Sequence, residues 1–163
     1  MCAVSDPPLH PLAAQIGFLL GEWEGEGEGA YEPGVAPFRY REQVRFWHSG
    51  KPFLAYTQRT VALDDGRPLH AEMGFWRSLE DGAVELVLAH PTGFAEICLG
   101  AVTGQRIALR SFAVERTPTA KDVTALEREI EVDGDELRYR LGMGMHGEPA
   151  RWHLSATLRR SGA

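Results

Sequence analysis

Residues 20–32, Leu-Gly-Glu-Trp-Glu-Gly-Glu-Gly-Glu-Gly-Ala-Tyr-Glu, alternate with period two. Glutamate holds every even position from Glu22 to Glu28, and glycine or tryptophan every odd one from Gly21 to Gly29. Side chains of a β-strand point alternately to its two faces. The four glutamates therefore form a solvated face, and Trp23 with Gly21, Gly25, Gly27 and Gly29 an inner one. A nearly bare inner face has two readings. One is strand curvature or close packing by a neighbouring helix; the other is space kept for a ligand.

Working outward, residues 11–21 (PLAAQIGFLLG) carry Leu12, Ile16, Leu19 and Leu20 at helical spacing, with proline early and Gly21 at the end. Such a segment is too short to be stable alone and needs a surface to dock on. Beyond Gly21 the period is two. Ten strands are expected near 22–31, 38–48, 53–63, 68–78, 83–90, 93–101, 105–113, 122–132, 136–145 and 150–160. Turn signals such as EPGVAP, HSGKP, LDDGRP, HPTG and VDGD separate most of them. Leu137, Tyr139, Leu141, Met143 and Met145 share one face of the ninth strand, and Arg138 and Arg140 the other. Half-buried strands of this kind, ten in a row, close most easily as an antiparallel all-β barrel without exposed edges. The chain divides into a loose leader, 1–11, and one barrel domain, 12–163.

The totals agree with a soluble domain of 163 residues, 44% hydrophobic and 25% charged. A net charge of −6 does not favour nucleic acid as a partner. No apolar run is long enough to span a membrane, and no secretory signal opens the chain. Two cysteines, Cys2 and Cys98, make no disulfide framework and suit a reducing cytoplasm. Cys98 reads as a small inert hydrophobe.

Some inner positions are polar. Glu42 has the parity of Tyr40 and Val44, and Arg128 that of Leu126 and Ile130. They read as a structural ion pair or a tapered, wet barrel end, or, for Arg128, as a site for an anionic ligand group. None of the six histidines forms an HxH or HExxH pair, so local spacing supports no zinc site. His153, in PARWHLSATLRR, lies across a hairpin from Met143 and Met145 and suits an axial ligand of haem iron. Strict alternation places it opposite Leu154, Ala156 and Leu158, so a bulge or a twisted strand start near Pro149 is required to turn it inward. His90 is a competing ligand, although the HPTG turn places it at a strand end.

Together these segments resemble the nitrobindins. Gly21, Trp23, Gly25 and Gly27 match the GxWxGxG signature of that family, and FRYREQVRFWHSGKPFLAYTQRT, VELVLAHPTG, TPTAKDVTALER, DGDELRYRLGM and HLSATLRR follow in order. The resemblance implies a ten-stranded barrel, similar to fatty-acid-binding proteins, with one haem b per chain, its iron mainly ferric. It implies reversible binding of nitric oxide and isomerisation of peroxynitrite to nitrate. His153 maps onto the axial metal ligand and catalytic centre, Met143 onto a methionine beside the pocket, and Leu69 and His70 onto another pocket segment. Lys121 and Arg128 are candidates for the propionates from charge and position. Trp152 departs from the small residue that usually precedes the ligand. The partners implied are small molecules, with room for a homodimer. The alternative is a haem-free barrel carrying a small apolar ligand such as a fatty acid, held by Arg128.

Overall fold

Period-two patterning becomes ten strands in the computed structural model, which describes residues 5–162. They are β1 Gly21–Tyr31, β2 Val35–Trp47, β3 Phe53–Ala62, β4 Pro68–Ser78, β5 Ala83–His90, β6 Phe94–Thr103, β7 Arg106–Arg116, β8 Val123–Asp133, β9 Glu136–Met145 and β10 Arg151–Ser161. Every strand pairs antiparallel with its neighbour in sequence, and β1 pairs with β10 to close the barrel. The expected boundaries shift by a few residues at most. β7 reaches Arg116 because Phe112 is bulged out between two paired positions, Ala113 opposite Ile97 and Ser111 opposite Cys98. Cys2 lies outside the described residues, and Cys98 is buried.

The N-terminal segment is a kinked 3₁₀ helix, Ala13–Leu19. Its buried residues are Ala13, Ile16 and Leu19, a three-residue spacing that fits the three-residue turn of a 3₁₀ helix. It caps one end of the barrel. Trp23 donates its indole N–H to the Leu19 carbonyl at 2.8 Å, and Gln15 donates to the Leu79 carbonyl at 3.0 Å. No described helix is long and apolar enough to cross a membrane.

The bare inner face of β1 is filled by its neighbours. A Cβ on Gly27 would collide with the ring of Tyr40, and one on Gly29 would come within 2.5 Å of Leu154 and 2.7 Å of Phe38. At Gly25 it would strike the Thr157 carbonyl oxygen and Leu158 of β10. The glycines therefore let β10 approach closely and let large side chains from β2 and β10 lie across β1. Close packing is therefore what fills this face, but by side chains and backbone of the neighbouring strands and not by the N-terminal helix; the cavity lies elsewhere.

Candidate functional site

The end of the barrel opposite the helix is open, and from it a cavity of about 890 Å³ runs inward. That is within the range of pockets for organic ligands and cofactors. Its mouth is built by the turns β1–β2, β3–β4, β5–β6, β7–β8 and β9–β10 and the strand ends beside them, which contribute Val35, Leu69, Thr92, Lys121 and Met145 among others. Leu69, His70, Lys121, Arg128, Met143 and His153, expected from separate strands and loops, all line this one cavity.

His153 reaches it through a bulge, one of the two local departures from strict alternation that would turn it inward. Trp152 pairs with Gly142 and Leu154 with Leu141, so His153 is the extra residue, and it and Leu154 both face the cavity. The imidazole is fixed from behind: Nδ1 lies 3.0 Å from the Ala30 carbonyl, which can only accept, so Nδ1 carries the proton. Nε2 is left with its lone pair. Tyr31 packs edge-on against the ring, 5.8 Å between centroids. Burial lowers the pKa of His153, and the charges of His70, Lys121 and Arg151 lower it further, against the rise from the Ala30 hydrogen bond. A neutral imidazole with a free lone pair is the protonation state a metal needs. Trp152 bonds Ser155 Oγ at 2.6 Å and does not line the cavity, so its bulk lies outside.

The wall opposite β10 is polar and closely wired. Arg128 reaches Glu72 at 3.1 and 3.2 Å and Glu96 at 2.6 Å. Burial alone would favour a protonated Glu72, but Arg128, His70 and His90 outweigh it and hold the carboxyl well below the usual range. Arg128 is thus the structural ion pair, and its guanidinium is committed to two carboxylates instead of awaiting a ligand. Tyr56 adds a hydrogen bond to Glu72 at 2.8 Å. His90 is the last residue of β5, stacked on Phe94 at 3.9 Å, with Nδ1 at 3.1 Å from His70 Nε2. Its nitrogens face this cluster, which disfavours it as a competing ligand for a cavity-filling cofactor.

A second chain joins Tyr40 to Tyr139 at 2.6 Å and Tyr139 to Glu42 at 2.6 Å. Glu42 is 1% exposed, and burial pushes its carboxyl up to about 8 despite the Tyr139 and Gln58 contacts. Sequence reasoning does not single out Glu72, Glu96, Tyr40 or Tyr139 as site residues. Parity is the available signal: Glu72 is in step with His70 and Trp76, and Glu96 with Cys98.

Comparison with known proteins follows the same outline. The family described as "THAP4-like, heme-binding beta-barrel domain" matches residues 13–160. Peroxynitrite isomerase 1 of Mycolicibacterium paratuberculosis is 52% identical over 156 residues, covering 93% of this chain and 96% of the relative. Peroxynitrite isomerase 1 of Mycobacterium tuberculosis is 49% identical over 159 residues, with the same coverage. The crystal structure of Rv2717c from M. tuberculosis superposes with a TM-score of 0.87 at 48% identity, covering 94% of this chain and 99% of that one.

Proposed function

Because the chain belongs to the family of THAP4-like, heme-binding beta-barrel domains, we propose that it holds one haem b, mainly ferric, and isomerises peroxynitrite to nitrate. Nitric oxide binds reversibly at the same position in this reading. The observation that carries it is His153: a neutral imidazole set on a bulge, locked from behind by Ala30, with its free nitrogen in a largely apolar cavity.

The residues present fit the group. His153 Nε2 would ligate the iron, and the Ala30 carbonyl behind Nδ1 would orient the ring and raise its basicity. Met143, Met145, Leu126 and Leu154 form one apolar cluster beside it and exclude water. Lys121, exposed at the mouth, is a partner for a propionate that projects to solvent. Arg128 is withdrawn from that role by its ion pairs with Glu72 and Glu96. Bound haem would supply a Lewis-acidic iron able to take an oxyanion or nitric oxide. The confined apolar wall keeps reacting fragments together and away from bulk water.

The test is titration of the full-length chain with hemin. The wild type should saturate at one haem per chain, shift its Soret band with nitric oxide, and speed conversion of peroxynitrite to nitrate. His153→Ala should lose at least tenfold in haem affinity. An unchanged Soret band and affinity in that variant would overturn the assignment. The lipid-carrier alternative gains nothing from the structure, since its anchoring arginine is already paired.

A further inference from the structure

The polar wall of the cavity contains His70, Glu72 and His90; the haem reading counts His70 as a pocket residue only and gives Glu72 and His90 no role. They come from β4 and β5, separated by 20 residues between the histidines, which is why no local motif announces them. His70 Nε2 is 3.1 Å from His90 Nδ1 and 3.6 Å from Glu72 Oε2, and His90 Nδ1 is 3.5 Å from the same oxygen. Three potential ligand atoms thus form a nearly regular triangle.

The size of that triangle is informative. A tetrahedral zinc ion with bonds of about 2.0–2.1 Å spaces its ligand atoms about 3.3–3.4 Å apart. An octahedral ion with bonds of the same length needs about 3.0 Å between adjacent ligands. The three distances straddle the tetrahedral value. Two imidazoles, one carboxylate and no thiolate is a donor set for a borderline dication.

One further observation points the same way. His90 Nε2 and Glu96 Oε2 are both buried without a hydrogen-bond partner, and they face each other at 3.7 Å. With Nδ1 given to a metal, Nε2 carries the proton and faces Glu96, and closing the 3.7 Å gap would complete the carboxylate–histidine–metal relay that orients ligating imidazoles. Phe94, stacked on His90, holds the ring in place.

We propose that His70, Glu72 and His90 form a second metal site, separate from His153, which binds a divalent cation of the zinc type. Glu96 supports His90 from behind, and Arg128 holds Glu72 in position. All three ligands line the cavity, so the fourth coordination position opens to it and takes water or an oxyanion. The site does not depend on haem.

The experiment is equilibrium dialysis of the full-length chain against zinc, followed by elemental analysis, on haem-free and hemin-saturated protein. Wild type should retain one zinc per chain in both forms, and His153→Ala should retain it also. His70→Gln and His90→Gln should each weaken binding at least tenfold while keeping the wild-type circular dichroism. Because the His70 side chain is 30% exposed, that variant is the safer one for folding. Cobalt in the haem-free chain should give the visible bands of tetrahedral coordination. Zinc affinity unchanged in the folded His70→Gln protein, or no zinc above one weak surface site in the wild type, would overturn the proposal. Loss of zinc in His153→Ala alone would equally overturn it. Haem binding is read separately from the Soret band, so failure of either reading leaves the other standing.

Discussion

Glu42 shows how far one residue can depart from its usual chemistry. It is buried in the barrel with its carboxyl bonded by Tyr139, and burial raises its pKa from 4.5 to about 8. Between those two values the unfolded chain carries it ionised and the folded chain carries it protonated. The folded state then binds more protons, so this residue's contribution to stability falls as pH rises through that window. The slope is at most about 1.4 kcal/mol per pH unit. Glu72 acts in the opposite direction at the acid end, since its depressed carboxyl contributes stability that is lost as pH falls. Glu42→Gln keeps an acceptor for Tyr139 and cannot ionise. Denaturant melts at pH 5 and pH 8 should show the variant gaining on the wild type as pH rises; parallel curves would refute the assignment.

Among the elements, β1 and β10 are specialised in complementary ways. β1 gives up side chains so that Tyr40, Phe38 and Leu154 can lie across it. β10 inserts one residue, so that His153 and Leu154 both face inward and the indole of Trp152 stays outside. Gly27→Ala places a methyl against the Tyr40 ring and should cost about 1–3 kcal/mol, the usual range for overpacking. Combined with Tyr40→Leu, the two losses should sum to less than their separate values, because the second change removes the collision. Strict additivity in urea melts would show that the glycine serves backbone curvature alone.

For the whole molecule, the two ends of the barrel do different work. One is closed by the 3₁₀ helix, Trp23 and Arg160, whose guanidinium lies 4.1 Å above the indole ring. The other is open and carries His153 and the cavity mouth. Trp23 is fully buried, so Trp23→Ala should destabilise the fold by about 3–5 kcal/mol. Haem stoichiometry in the folded variant should stay at the wild-type value. Loss of haem in proportion to loss of stability would mean that the ends are coupled.

The amino-acid sequence by itself determined the period of two, and with it ten strands, their inner faces and closure as a barrel. Those follow from local alternation and turn chemistry, which need no partner to be legible. It also pointed to His153, through the neighbouring segments and the family resemblance, and to the bulge or twisted strand start that His153 would need. The assembly of the site was decided by tertiary structure. Whether Arg128 met a ligand or a carboxylate depended on Glu72 and Glu96, which lie 56 and 32 residues away along the chain. The glycine face of β1 is open to two readings, curvature or empty space, until Tyr40 and Leu154 are placed on it. His70 and His90 meet only because β4 pairs with β5 and both turn their histidines into one cavity. Strand alternation tells which face a side chain takes; which side chain it meets there is set by register and closure of the whole sheet.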